Sequence, residues 1–165
     1  SIVYSKKIND INLEGIKISK NVTINPELIL SIIKDVSNYN QILKNSSNVT
    51  TTKIASDTNE IIAHQEIYIP IFTDLYYFFK IYESTNRVSW LLENPISYTS
   101  LNQQGYALST GCGGWNYTTN DDGSYTINYR LIFSIEGYPS WVINYMNYYS
   151  LINVFNDVLF SAENH

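Results

Sequence analysis

Hydrophobic positions along this chain recur at two different periods, and the switches between them outline the elements. Residues 2–8 and 13–24 alternate at strand spacing, with Ile16 and Ile18 on one face and Glu14, Lys17 and Ser19 outside that pattern. The period then lengthens. Asn25 offers a capping side chain, Pro26 a preset first helical position and Glu27 a negative charge at the helix start. Leu28, Ile29, Ile32, Ile33 and Val36 follow at helical spacing, which predicts a helix over 26–36, a break at Asn38-Tyr39-Asn40 and a short helical turn through Leu43. From 47 to 135 the spacing returns to two, with strands expected at 47–55, 60–69, 74–83, 87–93, 105–119 and 124–135. Asn120-Asp121-Asp122-Gly123 marks a hairpin, because Asp-Gly supplies the positive φ angles of a tight turn. In its second strand Tyr125, Ile127, Tyr129, Leu131, Phe133 and Ile135 alternate with a mostly polar set that leaves Arg130 facing solvent. From Pro139 to about Phe160, Trp141, Tyr145, Tyr148, Ile152, Phe155 and Leu159 recur as one helical stripe.

That last segment holds no charge from Gly137 to Asn156, long enough for a membrane span, yet Pro139 near its start and Asn144, Asn147, Ser150, Asn153 and Asn156 argue against one, because they would carry polar groups into hydrocarbon. A helix lying over a sheet fits it better. With 165 residues, 44% of them hydrophobic, the chain is expected to form one domain, residues 1–165, that buries a core of its own. The formal net charge of −5 repels phosphate backbones and disfavours nucleic acid as a partner. A single cysteine, Cys112, excludes an internal disulfide, and with only His64 and His165 beside it there is no Cys/His zinc set; no metal or other cofactor is expected. Sequons at Asn21, Asn45, Asn48 and Asn116 are no more than an Asn-, Ser- and Thr-rich chain yields by chance. No signal-type run opens the sequence, so the compartment stays open between cytoplasmic and secreted after removal of a leader.

Two strands, a helix, a run of antiparallel strands and a long closing helix describe an α+β fold in which one curved sheet buries its inner face against the terminal helix. The sequence resembles the START (steroidogenic-acute-regulatory-related lipid transfer) domains of the helix-grip, Bet v 1-like superfamily, which also holds aromatic cyclases. The resemblance spans nearly the whole chain. It is carried by Ile2-Val3-Tyr4, by Ile24-Asn25-Pro26 leading to Lys34-Asp35-Val36-Ser37-Asn38-Tyr39, by Gly114-Trp115 and by Thr126-Ile127-Asn128-Tyr129. Most specific is Tyr138-Pro139-Ser140-Trp141-Val142-Ile143-Asn144, which looks like the family's Pro-x-Trp-(apolar)₂-Asn opening of the last helix. The chain departs from the family at Thr73-Asp74-Leu75-Tyr76, where members often carry an Arg in place of Thr73, and in lacking residues that usually precede the first strand.

The resemblance implies a curved antiparallel sheet wrapped around a C-terminal helix, enclosing a tunnel for one lipid, sterol or fatty-acyl-type molecule. It implies a monomer that touches membranes transiently and binds without making bonds; ligand surface leaving water, at about 25 cal/mol per Å², would drive affinity. Strand phase then nominates Leu75, Tyr77, Phe79 and Ile81, Val88, Trp90 and Leu92, and Tyr129, Leu131 and Phe133 as inward-facing. The ligand-binding candidates are Tyr77, Phe79, Trp90, Leu92, Tyr129 and Phe133 on the sheet, with Tyr145, Tyr148, Tyr149 and Ile152 on the helix. No catalytic residues are assigned. The alternative is a cyclase-like or hydrolytic enzyme using the same cavity. Its support is the strand 61–69, where His64, Glu66 and Tyr68 share one face; read as a solvated face they do nothing, and in the opposite phase they would be an acid–base pair in the cavity. Gly111-Cys112-Gly113-Gly114 reads as a reactive loop or, more simply, as a bulge.

Overall fold

The structure is a computed structural model. It describes residues 2–8, 11–56, 60–98, 104–134 and 137–165, with side chains described only from residue 13 onward and not at 148–150. Nine strands form one sheet: β1 (Ile2–Ile8), β2 (Ile11–Val22), β3 (Val49–Ser56), β4 (Ile61–Ile67), β5 (Leu75–Ser84), β6 (Arg87–Glu93), β7 (Tyr106–Ala107), β8 (Gly111–Thr119) and β9 (Tyr125–Ser134). The order across the sheet is β1-β2-β9-β8-β6-β5-β4-β3, antiparallel throughout, with the short β7 pairing in parallel with the start of β5. Because β2 and β3 lie near opposite edges, the chain between them must cross, and it does so as α1 (Pro26–Lys34), a 3₁₀ turn at Val36–Asn38 and α2 (Tyr39–Ile42). The α1 start forms as its residues suggest, with the Asn25 side chain accepting from the Glu27 amide at 3.0 Å.

The closing helix runs from Ser140 to Glu163 in three parts: α3 (Ser140–Tyr145), a π-helical turn (Met146–Leu151) and α4 (Ile152–Glu163). The π turn takes in an extra residue and rotates the stripe read from the sequence. Phe155 and Leu159 are buried as that stripe requires, but further toward the N-terminus the buried positions are Val142, Ile143, Met146 and Leu151, with Trp141 47% exposed. No described helix is long and apolar enough to cross a membrane.

The 120–124 hairpin closes as expected but by a different turn. Gly123 alone takes positive φ, at 80°, and the Asn120 amide bonds Ser124 O at 2.8 Å, so Asp121-Asp122-Gly123 form a three-residue loop. The segment expected as one strand over 105–119 is two, β7 and β8. Ile135 lies outside the described residues. The core sits between the concave face of the sheet and the closing helix, where Ile16, Ile18, Val88, Trp115, Ile127, Tyr129 and Leu131 meet Met146, Leu151, Phe155, Val158 and Leu159.

Candidate functional site

Register fixes which side chains share the concave face. Ile16 lies opposite Leu131, Tyr129 opposite Trp115, Trp115 opposite Val88, Ile81 opposite Trp90 and Phe79 opposite Leu92, so one row of parity runs across five strands. Every strand residue nominated as inward-facing from phase stands on this face. Between it and the closing helix lie two adjoining chambers. The first, of about 60 Å³, is lined by Tyr39, Leu43, Val49, Gln65, Trp115 and Val154 among others; the second, of about 30 Å³, by Leu92, Leu108, Phe133 and Met146. Ile67, Tyr77, Trp90, Tyr129 and Leu151 line both and form the waist between them.

Of the ligand-binding candidates, Tyr77, Phe79, Trp90, Leu92, Tyr129 and Phe133 line these chambers. Tyr145 and Ile152 do not: both are half-buried against the core, and the helix instead contributes Met146, Leu151 and Val154. The cause is the π turn, which displaces a stripe extrapolated at 3.6 residues per turn. Tyr148 and Tyr149 lie outside the described side chains.

The first chamber ends in a polar row that sequence phase alone did not reveal. Thr51, Gln65 and Tyr77 are direct cross-strand neighbours on β3, β4 and β5. The Tyr77 hydroxyl donates to Gln65 Oε1, and Gln65 Nε2 donates to Thr51 Oγ1 at 2.7 Å. Tyr39 donates its hydroxyl to the Ile33 carbonyl. Burial pushes the phenols of Tyr39, Tyr77 and Tyr129 well above their ordinary range; the proximity of Tyr129 raises the first two further, helped by Asp35 at Tyr39 and by Tyr39 at Tyr77. All three are neutral hydrogen-bonding groups at any physiological pH. Among the described residues, no Asp, Glu, Lys, Arg or His lines either chamber.

His64 and Glu66 stand on the opposite, convex face, so they form no acid–base pair in the chambers. The reading of this face as solvated holds for Glu66 and Tyr68 but not for His64. Glu66 is exposed, but His64 is 7% exposed and lies against Phe78 with ring centres 4.8 Å apart, while Phe78 stacks on Tyr98 at 4.3 Å. The 3₁₀ turn at Pro95–Tyr98 folds over this spot and makes a second, small aromatic layer.

Cys112 is exposed, and β8 pairs through its glycines without an interrupted register, so there is neither a loop nor a bulge. The glycine at 113 instead makes room: a Cβ there would stand 2.4 Å from Trp90 Cζ2 and 2.7 Å from the Arg130 carbonyl. Gly113→Ala is therefore expected to push the Trp90 ring out of the waist at a cost of about 1–3 kcal/mol, read as a lower urea midpoint with a shifted tryptophan emission.

The two ends of the closing helix are held differently. Toward the C-terminus, Asp157 is 1% exposed, and its carboxylate accepts from the Asn45 amide at 3.2 and 3.0 Å, Asn45 Nδ2 at 2.6 Å, the Ser46 amide at 3.0 Å and Ser46 Oγ at 2.9 Å. Toward the N-terminus, Asn147 Nδ2 donates to Glu14 Oε1 and the Tyr138 hydroxyl donates to the Ala107 carbonyl at 3.5 Å. Glu14 thus shares the face of Ile16 and Ile18, against the expectation from its charge. Beside this end lies an exposed apolar patch in which Phe72 meets Tyr106 at 6.1 Å and Trp141 at 5.6 Å. Ile71 at its tip is fully exposed and takes φ 64°, a conformation that β-branched residues avoid.

An antiparallel sheet gripping a C-terminal helix, with unfilled space between them, is the helix-grip architecture, and the START-like resemblance read from the sequence holds in the structure at the level of fold. No protein-family model matches the sequence, and no curated protein matches it. Solved structures do match in fold. The Zhui aromatase/cyclase from Streptomyces sp. R1128 superposes with a TM-score of 0.68 at 11% identity, covering 92% of this chain and 94% of that one. The STAR-related lipid transfer protein from Xanthomonas axonopodis gives 0.64 at 13% identity over 98% of this chain and 92% of that one. Human STARD10 gives 0.66 at 17% identity over 98% and 70%. These neighbours include lipid-transfer proteins and aromatase/cyclases alike.

Proposed function

We propose that the protein binds one hydrophobic small molecule of the lipid, sterol or fatty-acyl class between its sheet and closing helix, and that it carries or senses this molecule without chemically changing it. The observation that carries this reading is an apolar interior left unfilled along the sheet–helix seam, lined without a charged side chain among the described residues. Chambers of about 60 and 30 Å³ are well below the roughly 150 Å³ of an engineered apolar cavity known to bind benzene. A lipid therefore enters only if the helix swings outward and the waist residues Trp90 and Leu151 repack. The unequal tethering sets the direction of that swing. The α4 end is stapled through Asp157, a buried carboxylate, whereas the α3 end borders the exposed rim of Ile71, Phe72, Tyr106 and Trp141 and is the end proposed to open. That apolar and aromatic rim suits transient contact with a membrane–water interface, where such rings are favoured.

Native mass spectrometry of the purified protein, alone and after incubation with fluorescent sterol and fatty-acyl probes, tests the reading. Bound adducts or saturable probe binding are expected; a protein that takes up neither removes it. Motion of the helix is tested by placing cysteines at 14 and 147 in a Cys112→Ser background and bridging them with a short bis-thiol reagent. Bridging is expected to slow probe exchange at least about ten-fold. Unchanged exchange rules out opening at this end.

The cyclase alternative lacks its supporting pair, since His64 and Glu66 face away from both chambers. The interior hydroxyls are held neutral, which suits binding better than proton abstraction.

A further inference from the structure

The interior differs from end to end. The second chamber is bounded mainly by aliphatic and aromatic carbon, whereas the first ends at the Thr51–Gln65–Tyr77 row. In that row the hydroxyl and amide groups satisfy one another. Tyr129 is different. It is 5% exposed, lines both chambers, stacks on Trp115 at 4.5 Å, and has no hydrogen-bond partner among the described residues. A phenol hydroxyl on the chamber wall with no protein partner among the described residues, beside a satisfied polar row, is available to bond whatever occupies the chamber.

Resting on the binding reading above, we propose that the ligand's buried end carries a neutral oxygen, a hydroxyl or carbonyl, that hydrogen-bonds Tyr129, and that molecules ending in a carboxylate, phosphate or ammonium group are rejected there. The first half follows from the Tyr129 hydroxyl, which stands at the waist near Tyr77 of the polar row. The second follows from what surrounds it: among the described residues the chambers offer no side chain of opposite charge to either sign, so an ionised head would lose its hydration and gain no counter-charge. Burial keeps the neighbouring phenols neutral, so they cannot supply a charge either. The ligand's apolar body then lies toward the second chamber and the rim at Trp141, with its oxygen at the waist against Tyr129.

Four ten-carbon probes at neutral pH test this: 1-decanol, 2-decanone, decanoate and decylammonium. Binding is followed by the fluorescence of the chamber-lining tryptophans and by native mass spectrometry. The alcohol and ketone are expected to bind at least about ten-fold more tightly than either ion. Tyr129→Phe keeps the ring and its stacking and breaks no hydrogen bond among the described residues; it is expected to weaken decanol roughly five- to ten-fold and to leave the ions unchanged. Decanoate or decylammonium binding as tightly as decanol, or decanol indifferent to Tyr129→Phe, overturns the inference while the carrier reading stands. Failure of all four probes, with the sterol and fatty-acyl probes failing as well, overturns both.

Discussion

Above about pH 10 the folded protein is expected to lose stability at roughly 4 kcal/mol per pH unit, steeply enough to unfold it within a narrow alkaline window. In the unfolded chain tyrosine ionises near its ordinary value of about 10. In the fold, burial holds Tyr39, Tyr77 and Tyr129 neutral well above that value. Between the two limits the unfolded chain binds fewer protons than the native one. The stabilisation is therefore complete below pH 10 and is lost as pH rises, each phenol contributing about 1.4 kcal/mol per unit. Tyr98, Tyr117 and Tyr138 are raised in the same direction but lie nearer solvent, where the effect is screened. Urea midpoints followed by circular dichroism across this range, with phenolate absorbance read in parallel, measure the slope. Tyr39, Tyr77 and Tyr129 are expected to titrate only as the protein unfolds. Tyr77→Phe should remove about a third of the slope. A stability that stays level to pH 11 would show that these hydroxyls reach water.

Replacing Asp157 by Ala is expected to cost about 3–5 kcal/mol and to release the turn at Asn45–Ser46 from the closing helix. The carboxylate is surrounded by donors alone, two backbone amides, one side-chain amide and one hydroxyl, and its removal strands them in a buried site. Asp157→Asn keeps the volume but turns an N–H toward donors, so it recovers less than half of the loss. Ser46→Ala removes one of these hydrogen bonds and should cost about 1 kcal/mol. Hydrogen exchange at the Asn45 and Ser46 amides distinguishes loss of this staple from general loosening, because the two amides are expected to exchange early in the Asp157 variants, ahead of the sheet core. If they remain as protected as the core, the turn is held by something other than this carboxylate.

Much of this arrangement was legible one strand at a time. Alternation placed Leu75, Tyr77, Phe79 and Ile81 on the inner face because side-chain direction in a strand depends only on parity, and the same holds for Tyr129, Leu131 and Phe133. Asn25-Pro26-Glu27 marked a helix start through contacts within a few residues of one another. The closing helix was legible as a helix but not in its rotation. One extra residue in the turn at Met146–Leu151 moves Tyr145 and Ile152 off the chamber and brings Leu151 to the waist. His64 looked like a solvated residue because nothing local announces that Tyr98, thirty-four positions later, roofs the Phe78 ring against which it lies.

The amino-acid order alone determined most of the succession of elements, the start of α1 and the inner faces of β5, β6 and β9, since these follow from periodicity and composition over short stretches. Only the tertiary structure decided that Thr51, Gln65 and Tyr77 form one row, that Asp157 finds its donors 111 residues away at Ser46, and that the unfilled space is small. Strand register, long-range partners and residual volume arise from how distant segments pack against one another, and packing is a property of the whole chain that no local period encodes.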